Sequence, residues 1–232
     1  MKIFEKLKIY RRALLWSCKH FPSRNSFGSC GINTVIEGPC HVESPKSVYI
    51  ENNVYLRNNL HIINAPYETV TIKKYTVIAG GVTIVTNNHI NIVGIPQILL
   101  VASHINDTSK DVIIDEDVWI GTNSTLLAGV HLGRGCIVAA GALVTKSVPP
   151  YALVIGTPAK IVKSKFTIEQ IMRHEEVLYP PNERMKKNAL EKLFADYFEG
   201  KGVYGEEKVL SDKDYIEIEK TKKLFNYTNW KS

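Results

Sequence analysis

The chain has 232 residues, of which 44% are hydrophobic and 22% charged, and this ordinary globular composition excludes extensive disorder. No run of 18 apolar residues occurs, so we predict no transmembrane helix, and the stretch 13–16 is too short for a signal-peptide core. The four cysteines, at positions 18, 30, 40 and 136, have spacings that favour neither a metal site nor a disulfide scaffold. We therefore expect a cytoplasmic protein.

The first segment of the chain carries the whole of its net charge. Residues 1–24 contain seven basic side chains and one acidic side chain, which equals the net charge of +6 for the full sequence. A nucleic-acid-binding protein would spread this excess over its folded body, so that class is disfavoured. We predict a basic amphipathic segment over residues 1–30. It either lies on the anionic inner face of a membrane or packs on its own oligomer.

A repeat of six residues dominates the middle of the chain. Aliphatic residues recur in one frame at Ile50, Leu56, Ile62, Ile72, Ile78, Ile84, Ile114, Ile120, Leu126, Leu132, Val138 and Val144. Four positions after the last six of these come Val118, Ser124, Val130, Cys136, Ala142 and Val148. A period of six fits neither an amphipathic helix nor an alternating strand. It predicts an all-β core, a parallel β-helix of about five to six triangular coils with both sets pointing inward.

We expect this β-helix to occupy residues 31–163, with weaker repeats back to Ile32 and forward to Ile161. Glycines directly after an inward residue, as at Gly121 and Gly133, suggest corners with positive φ. The frame is interrupted twice. About four extra residues bulge near 64–67, and residues 86–110 lack the pattern, which predicts a protruding loop without regular structure. A long excursion from so regular a scaffold is usually functional.

Helix signals replace the repeat after residue 163. Thr167 and Gln170 have the spacing of a capping box, and Pro180 would end the helix that follows. A second amphipathic helix is predicted over 183–198, and a charged tail follows it. We expect residues 164–232 to form a helical extension that caps the open end of the column and covers its exposed strand edge.

The chain resembles the hexapeptide-repeat acyltransferases, in particular the maltose/galactoside O-acetyltransferase branch and its relatives in capsule and O-antigen synthesis. Three stretches carry the resemblance: residues 71–89, Val118-Trp-Ile-Gly121, and Gly141–Pro150 running on to Gly156-Thr-Pro-Ala-Lys160. The resemblance implies a left-handed β-helix, a homotrimer with active sites between subunits, and acetyl-CoA as co-substrate. It also implies a carbohydrate acceptor.

The same resemblance assigns roles to individual residues. It implies that His89, at the start of the 86–110 loop, is the general base, since a neutral imidazole can take a hydroxyl proton near pH 7. It implies that Asn59 contacts the acceptor and that Trp119 lies beside the acetyl group. For coenzyme A it implies a track of small and basic residues comprising Gly121, Thr122, Ala140, Thr145, Lys146, Lys160 and Lys163.

Our functional prediction is an acetyl-CoA-dependent O-acetyltransferase acting on a sugar hydroxyl in surface polysaccharide biosynthesis. Ile90 stands where sugar acetyltransferases of this branch usually have Pro or Asp, so the acceptor stays open. An amino sugar, another small acceptor such as serine, and a non-catalytic assembly subunit remain alternatives. A zinc-dependent carbonic anhydrase shares the column but needs a His-x4-His pair, and no two of the seven histidines are five apart. We therefore predict no metal.

Overall fold

The computed structural model describes residues 10–11, 22–105, 107–206 and 208–224. Most of the predicted basic segment, at residues 1–9 and 12–21, lies outside the described residues, so both interpretations of it stay predictions. The division of the chain at residues 30 and 163 also stays a prediction. Among the described residues, every helix is too short or too polar to cross a bilayer.

Five stacked coils of three short strands form the body of the protein. In chain order the strands are β1 (Ser29–Cys30), β2 (Val35–Ile36), β3 (His41–Val42), β4 (Val48–Ile50), β5 (Tyr55–Leu56), β6 (His61–Ile63), β7 (Val70–Ile72), β8 (Val77–Ile78), β9 (Thr83–Val85), β10 (Asn87–Asn88), β11 (Thr108–Ser109), β12 (Val112–Ile114), β13 (Trp119–Ile120), β14 (Thr125–Leu126), β15 (His131–Leu132), β16 (Ile137–Val138), β17 (Leu143–Val144), β18 (Ala152–Ile155) and β19 (Lys160–Ser164). Strands β10 and β11 belong to an excursion described below.

The coils stack into three parallel sheets, one for each face of a triangular column. Face 1 contains the first strands of the coils, in the order β1-β4-β7-β12-β15. Face 2 contains the second strands and ends in β18 and β19, and face 3 contains the third strands, β3, β6, β9, β14 and β17. The register puts equivalent residues on one line, as in Ile50↔Ile72↔Ile114↔Leu132 on face 1. The predicted left-handed parallel β-helix is confirmed.

The inward positions of the six-residue repeat make the core. All twelve aliphatic residues of the predicted frame are at most 1% exposed, and the second inward set, from Val118 to Val148, is at most 5% exposed. Within that set Ser124 is the polar member, and its hydroxyl donates to the carbonyl of Gly121 at 2.9 Å. Burial of this continuous aliphatic column is the main force that holds the coils together.

The structure corrects the repeat at both ends. Ile32 is 68% exposed, and the inward residues of the first coil are instead Cys30, Ile36 and Val42. The frame slips by two residues because a 3-10 turn at Pro45–Ser47 lengthens the step from Val42 to Ile50. At the other end Ile161 belongs to β19, which pairs antiparallel with β18 and so leaves the parallel column.

Close stacking, not positive φ, explains Gly121 and Gly133, contrary to our expectation. Neither has a left-handed backbone. A Cβ on Gly121 would lie 2.5 Å from the amide nitrogen of Ala140, and one on Gly133 would lie 2.5 Å from that of Pro150, both on the next turn of the chain. The left-handed residue comes three positions after the inward one, at Asn33, Asn53, Asn59, Tyr75, Gly81, Asp117, Asn123, Gly129, Gly135, Gly141 and Tyr151.

Two helices follow β19, and the first lies along the corner between faces 1 and 2, as the contacts of His174 with Asp117 and of Tyr179 with Tyr75 show. Helix α2 (Ile168–Leu178) begins with the predicted capping box, since Thr167 and Gln170 exchange side-chain-to-backbone hydrogen bonds. It is followed by helix α3 (Lys187–Tyr197), and Ile171, Leu190 and Leu193 join the aliphatic core. Helix α1 (Gln97–Ser103) comes earlier in the chain and belongs to the excursion.

A buried carboxylate fastens α2 to the column. Glu175 is 1% exposed, accepts from the Tyr151 hydroxyl at 2.9 Å and lies 3.2 Å from Nη1 of Arg134. Burial, together with this carboxylate, raises the pKa of Tyr151, so the phenol stays protonated and donates. The C-terminal segment predicted as a charged tail instead contains a helix, α4 (Asp212–Leu224). Ion pairs at i,i+3 such as Lys220–Glu217 support it.

The two kinds of corner should respond differently to the same substitution. Gly133→Asn places a side chain against the backbone of the next turn and should lower the free energy of unfolding by about 3 kcal/mol. Gly141→Asn should cost less than about 0.5 kcal/mol, because Gly141 has open space and Asn accepts a left-handed backbone. Urea unfolding measures both. Equal losses would contradict our account of the glycines.

Candidate active site

Residues 86–110 leave the column at the corner between faces 3 and 1 and form a structured arm. Strands β10 and β11 pair antiparallel at its root, and α1 (Gln97–Ser103) lies between them in the chain. The expectation of a protruding loop without regular structure is therefore wrong in its second part. Hydrogen bonds tie the root to the neighbouring insertion, including Ser109 to Glu68 and the Thr69 amide to Asp111.

The arm sets His89 opposite a carboxylate. In the β10–β11 ribbon Asn88 pairs with Thr108, so the next residues outward, His89 and Asp107, face each other across the two strands. Nδ1 of His89 lies 3.0 Å from Oδ1 of Asp107. The Asp107 side chain is 17% exposed and that of His89 31%, so the pair is partly shielded from solvent.

A second histidine shares this carboxylate. Nδ1 of His104 lies 2.8 Å from Oδ2 of Asp107, and the rings of His89 and His104 have centroids 5.5 Å apart. His104 is the left-handed C-cap of α1, and its amide donates to the carbonyl of Leu100, a residue that is 1% exposed. The two imidazoles therefore approach one carboxylate from separately anchored pieces of backbone.

The electrostatics of this cluster favour a particular tautomer of His89. Hydrogen bonds from His104 and then His89 hold the pKa of Asp107 below its usual range, so it is a carboxylate and acts only as an acceptor. His89 therefore presents its Nδ1 proton to Asp107, and its Nε2 carries a lone pair. An imidazole held in this way can accept a proton at Nε2, as a general base does. We call this group the His89–Asp107–His104 cluster.

Asp107 and His104 were missed by the sequence reasoning. They lie 18 and 15 residues after His89, and no motif spacing connects them. The antiparallel ribbon creates the His89–Asp107 contact. In an antiparallel ribbon the position numbers of paired residues have a constant sum, and only this rule could have revealed the contact. Its use requires the strand bounds.

Four of the predicted binding residues lie along one corner, between faces 2 and 3. Asn59 lies on the turn of the second coil, Gly121 and Thr122 on that of the fourth, and Ala140 on that of the fifth. The turns are tied together by backbone hydrogen bonds, such as Gly81 to Asn58 at 3.0 Å and Gly141 to Thr122 at 2.9 Å. Thr122 and Ala140 are exposed, so this corner presents small side chains to solvent.

Local structure alone accounts for two of these residues. Asn59 has φ of 59°, which favours asparagine, and its amide donates to the carbonyl of Pro39 at 2.6 Å. Gly121 is required by the approach of Ala140. The backbone of this corner therefore favours Asn59 and requires Gly121 whether or not a ligand binds there.

Trp119 points outward from face 2 and is 54% exposed. It borders a hollow of about 320 Å³ together with Val77, Ile137 and Lys165. The ammonium group of Lys165 is paired with Asp117 at 2.8 Å. The hollow adjoins a larger cleft, of about 620 Å³, where α4 lies against face 2.

The remaining predicted residues lie at the lower end of the column. Thr145 and Lys146 are exposed directly after β17, at the corner between faces 3 and 1. Lys160 and Lys163 are exposed on β19, where they pair with Ile155 and Leu153 of β18.

Within one chain, His89 and the predicted binding residues near Gly121 lie at two different edges of face 3. The arm that carries His89 is rooted at one edge, and the corner of Asn59 and Gly121 forms the other. A face of about five extended residues separates these edges by roughly 15 Å. None of the described hydrogen bonds or ion pairs joins His89 to Asn59, to Trp119 or to the lysines.

Comparison with known proteins agrees with the fold. Residues 111–146 match the family model described as bacterial transferase hexapeptide (six repeats). This stretch therefore carries the hexapeptide repeat of bacterial transferases. A 2,3,4,5-tetrahydropyridine-2,6-dicarboxylate N-acetyltransferase of Staphylococcus aureus is 50% identical over 62 residues, which are 27% of this chain. The match spans 26% of the length of that curated relative, about a quarter.

Solved structures of hexapeptide-repeat transferases share the fold over most of their length. A hexapeptide-repeat acetyltransferase of Vibrio cholerae, solved with acetyl coenzyme A, is 26% identical with a TM-score of 0.56, covering 69% of this chain and 87% of its own. A galactoside acetyltransferase in complex with coenzyme A is 22% identical with a TM-score of 0.56, covering 80% of this chain and 91% of its own. A maltose O-acetyltransferase of Clostridium difficile is 22% identical with a TM-score of 0.54, covering 71% and 89%.

Asp107→Asn should lower kcat about 10–100-fold, because an amide offers no negative charge and can donate to Nδ1, which moves the proton to Nε2. Steady-state kinetics of acetyl transfer measures the effect, with circular dichroism to verify folding. Asp115→Asn is the matched control, since Asp115 also pairs with a histidine, His131 at 2.7 Å, but away from the arm. Equal kcat values for the two variants would show that Asp107 does not position the base.

Proposed function

We propose that this protein is an acetyl-CoA-dependent O-acetyltransferase that acts on a sugar hydroxyl in surface polysaccharide biosynthesis. The observation that carries the proposal is a histidine whose Nδ1 lies 3.0 Å from a carboxylate, on an arm that leaves a hexapeptide-repeat column. The acetyltransferase names of the relatives support the reaction class.

His89 would act twice in the reaction. Nε2 takes the proton of the acceptor hydroxyl as its oxygen attacks the thioester carbonyl, and the imidazolium then returns that proton to the departing thiolate. The carboxylate of Asp107, 3.0 Å from Nδ1, stabilises the imidazolium between these events. One C–O bond forms and one C–S bond breaks, so acetyl ester and free thiol are the products.

The residues along the column fit a long, phosphate-rich co-substrate. We propose that acetyl-CoA lies along Gly121, Thr122 and Ala140, where the corner has small exposed side chains, and that Thr145 and Lys146, which lie at the opposite edge of face 3, meet it from a neighbouring copy of the chain. Lys160 and Lys163 are exposed cations at the end of the column and would attract the phosphates as point charges. Trp119 would border the acetyl end, and Asn59 would contact the acceptor.

A complete site would need two copies of the chain. His89 and the corner of Gly121 stem from opposite edges of face 3, so we propose that the arm of one subunit meets the corner of the next in a homotrimer. The arm has a surface that suits such a contact, because Ile98 and Leu99 of α1 are 74% and 58% exposed. Uncovered aliphatic side chains of this size commonly mark an interface.

Transfer to an amine is the second candidate function. The relative with the highest local identity reported above, 50% over 62 residues, is an N-acetyltransferase, and the same base and thioester would serve an amino sugar. The acceptors therefore need direct comparison. Sugars, amino sugars and serine should be tested with acetyl-CoA, and release of free thiol should be measured. A preference for amines would overturn the O-acetyl assignment and leave the acetyltransferase assignment in place.

His89→Ala should lower kcat about 10²–10⁴-fold, because no other described group holds the position of the base. The dissociation constant of coenzyme A, measured by calorimetry, should change less than twofold. His131→Ala serves as the control, since this histidine also pairs with an aspartate but lies on face 1. Full turnover by the His89 variant would show that another group is the base.

Replacing Lys160 and Lys163 together by Ala should raise the KM for acetyl-CoA about tenfold, because two cations near the phosphates would be lost. The value of kcat should stay within twofold, since neither lysine would touch the reacting atoms. Lys187→Ala, which removes an exposed lysine on α3, should leave the KM unchanged. An unchanged KM in the double variant would place the nucleotide elsewhere.

A further inference from the structure

We infer that the His89–Asp107–His104 cluster is also a binding site for a zinc-type divalent cation, and that such a cation inhibits the enzyme by changing the tautomer of His89. The binding part rests on the donor set alone, whereas the inhibition rests on the proposed function. Our sequence reasoning predicted no metal, because it searched for histidines at short spacing.

The donor atoms lie close enough together to bind one cation. One ligand atom from each of His89, His104 and Asp107 lies within 4.8 Å of the others. In a tetrahedral site with bonds of about 2.0–2.1 Å, neighbouring donor atoms are about 3.3 Å apart. Nδ1 of His89 lies 3.0 Å from Oδ1 of Asp107 and Nδ1 of His104 lies 2.8 Å from Oδ2, so a rotation of the carboxylate would let one oxygen and both nitrogens bind the same cation.

The chemistry of the donors selects the class of cation. Two imidazole nitrogens and one carboxylate oxygen suit zinc and its neighbours, whereas magnesium and calcium prefer oxygen ligands. Three protein ligands leave a fourth position for solvent. The carboxylate of Asp107 carries the negative charge that lowers the cost of bringing a divalent cation to this place.

The backbone holds all three ligands from rigid positions. His89 and Asp107 extend the β10–β11 ribbon, and His104 is fixed at the C-cap of α1 by its hydrogen bond to Leu100. The His104 side chain is 67% exposed, which gives a cation in solution access to the cluster. Ligands preorganised in this way lose little conformational entropy when the cation binds.

A cation bound at Nδ1 of His89 would prevent this residue from acting as a base, although the cation would not contact the substrates. In the cluster as it stands, the proton of neutral His89 is on Nδ1 and Nε2 is the acceptor. When a cation occupies Nδ1, the one imidazole proton must move to Nε2, which then donates and cannot accept the hydroxyl proton. The inhibition should therefore lower kcat and leave the KM for acetyl-CoA nearly unchanged.

Binding is tested first, without substrates, by titrating the metal-free full-length protein with Co²⁺ and following its visible absorption, and with Zn²⁺ by calorimetry. The wild-type protein should bind one equivalent. His104→Asn should weaken Zn²⁺ binding about 100-fold. Asparagine tolerates the left-handed backbone and can still donate to Asp107, but its amide is a poor zinc ligand. His131→Asn should bind like the wild type, because its partner Asp115 serves a single histidine.

Inhibition is then measured by the loss of thioester absorbance, with each variant compared with its own zinc-free rate. Saturating Zn²⁺ should lower the wild-type kcat at least about tenfold, and a chelator should restore it. At the same Zn²⁺ concentration, the His104→Asn variant should keep most of its own zinc-free kcat. No binding by the wild type, or equal affinities for wild type and His104→Asn, would overturn the site. If Zn²⁺ binds through His104 but the wild-type kcat is unchanged, the metal site would stand. The tautomer change and the assignment of His89 as base would then be wrong.

Discussion

The close stacking of one coil on the next is the constraint on which the rest of the structure depends. Within the five coils every face is a ladder of parallel hydrogen bonds, so equivalent residues of neighbouring coils repeat at the strand spacing of about 4.8 Å. At Gly121 and Gly133 the next turn of backbone comes within 2.5 Å of where a Cβ would lie. At eleven corners, three positions after an inward residue, the chain turns through the left-handed region, and nine of these corners have Asn, Asp or Gly there.

The regular part of the fold could be predicted because the period of six records a physical repeat. Each inward aliphatic residue faces its equivalents in the coils above and below, so one frame of positions identifies the whole core. The capping box at Thr167 could also be recognised from the sequence, since it depends on a local exchange of hydrogen bonds. The sequence failed where the frame slips. The turn at Pro45–Ser47 adds two residues without any apolar signal, and therefore Ile32 was placed inside although it is exposed.

The candidate site could be predicted only in part, for a related reason. His89 was found through resemblance to a family. Its carboxylate partner, Asp107, follows from the β10–β11 ribbon, which no periodicity in the sequence predicts. Residues 90–105 contain no Asp, Glu, Lys or Arg, and this uncharged stretch gave no amphipathic pattern from which α1 could be recognised. Contacts such as His89–Asp107 depend on a register between distant residues, and the register follows from the tertiary structure.

The join between the arm and the column has an evolutionary consequence. After 25 residues of excursion the chain returns to the ladder in strict register, with Ile114 beside Ile72 as if nothing had intervened. The entropy of closing such a loop grows only with the logarithm of its length, so doubling it would cost about 0.6 kcal/mol. Natural variation can therefore lengthen, shorten or exchange the arm while the triangular column keeps its structure. New acceptor preferences can thus arise by grafting at one vertex.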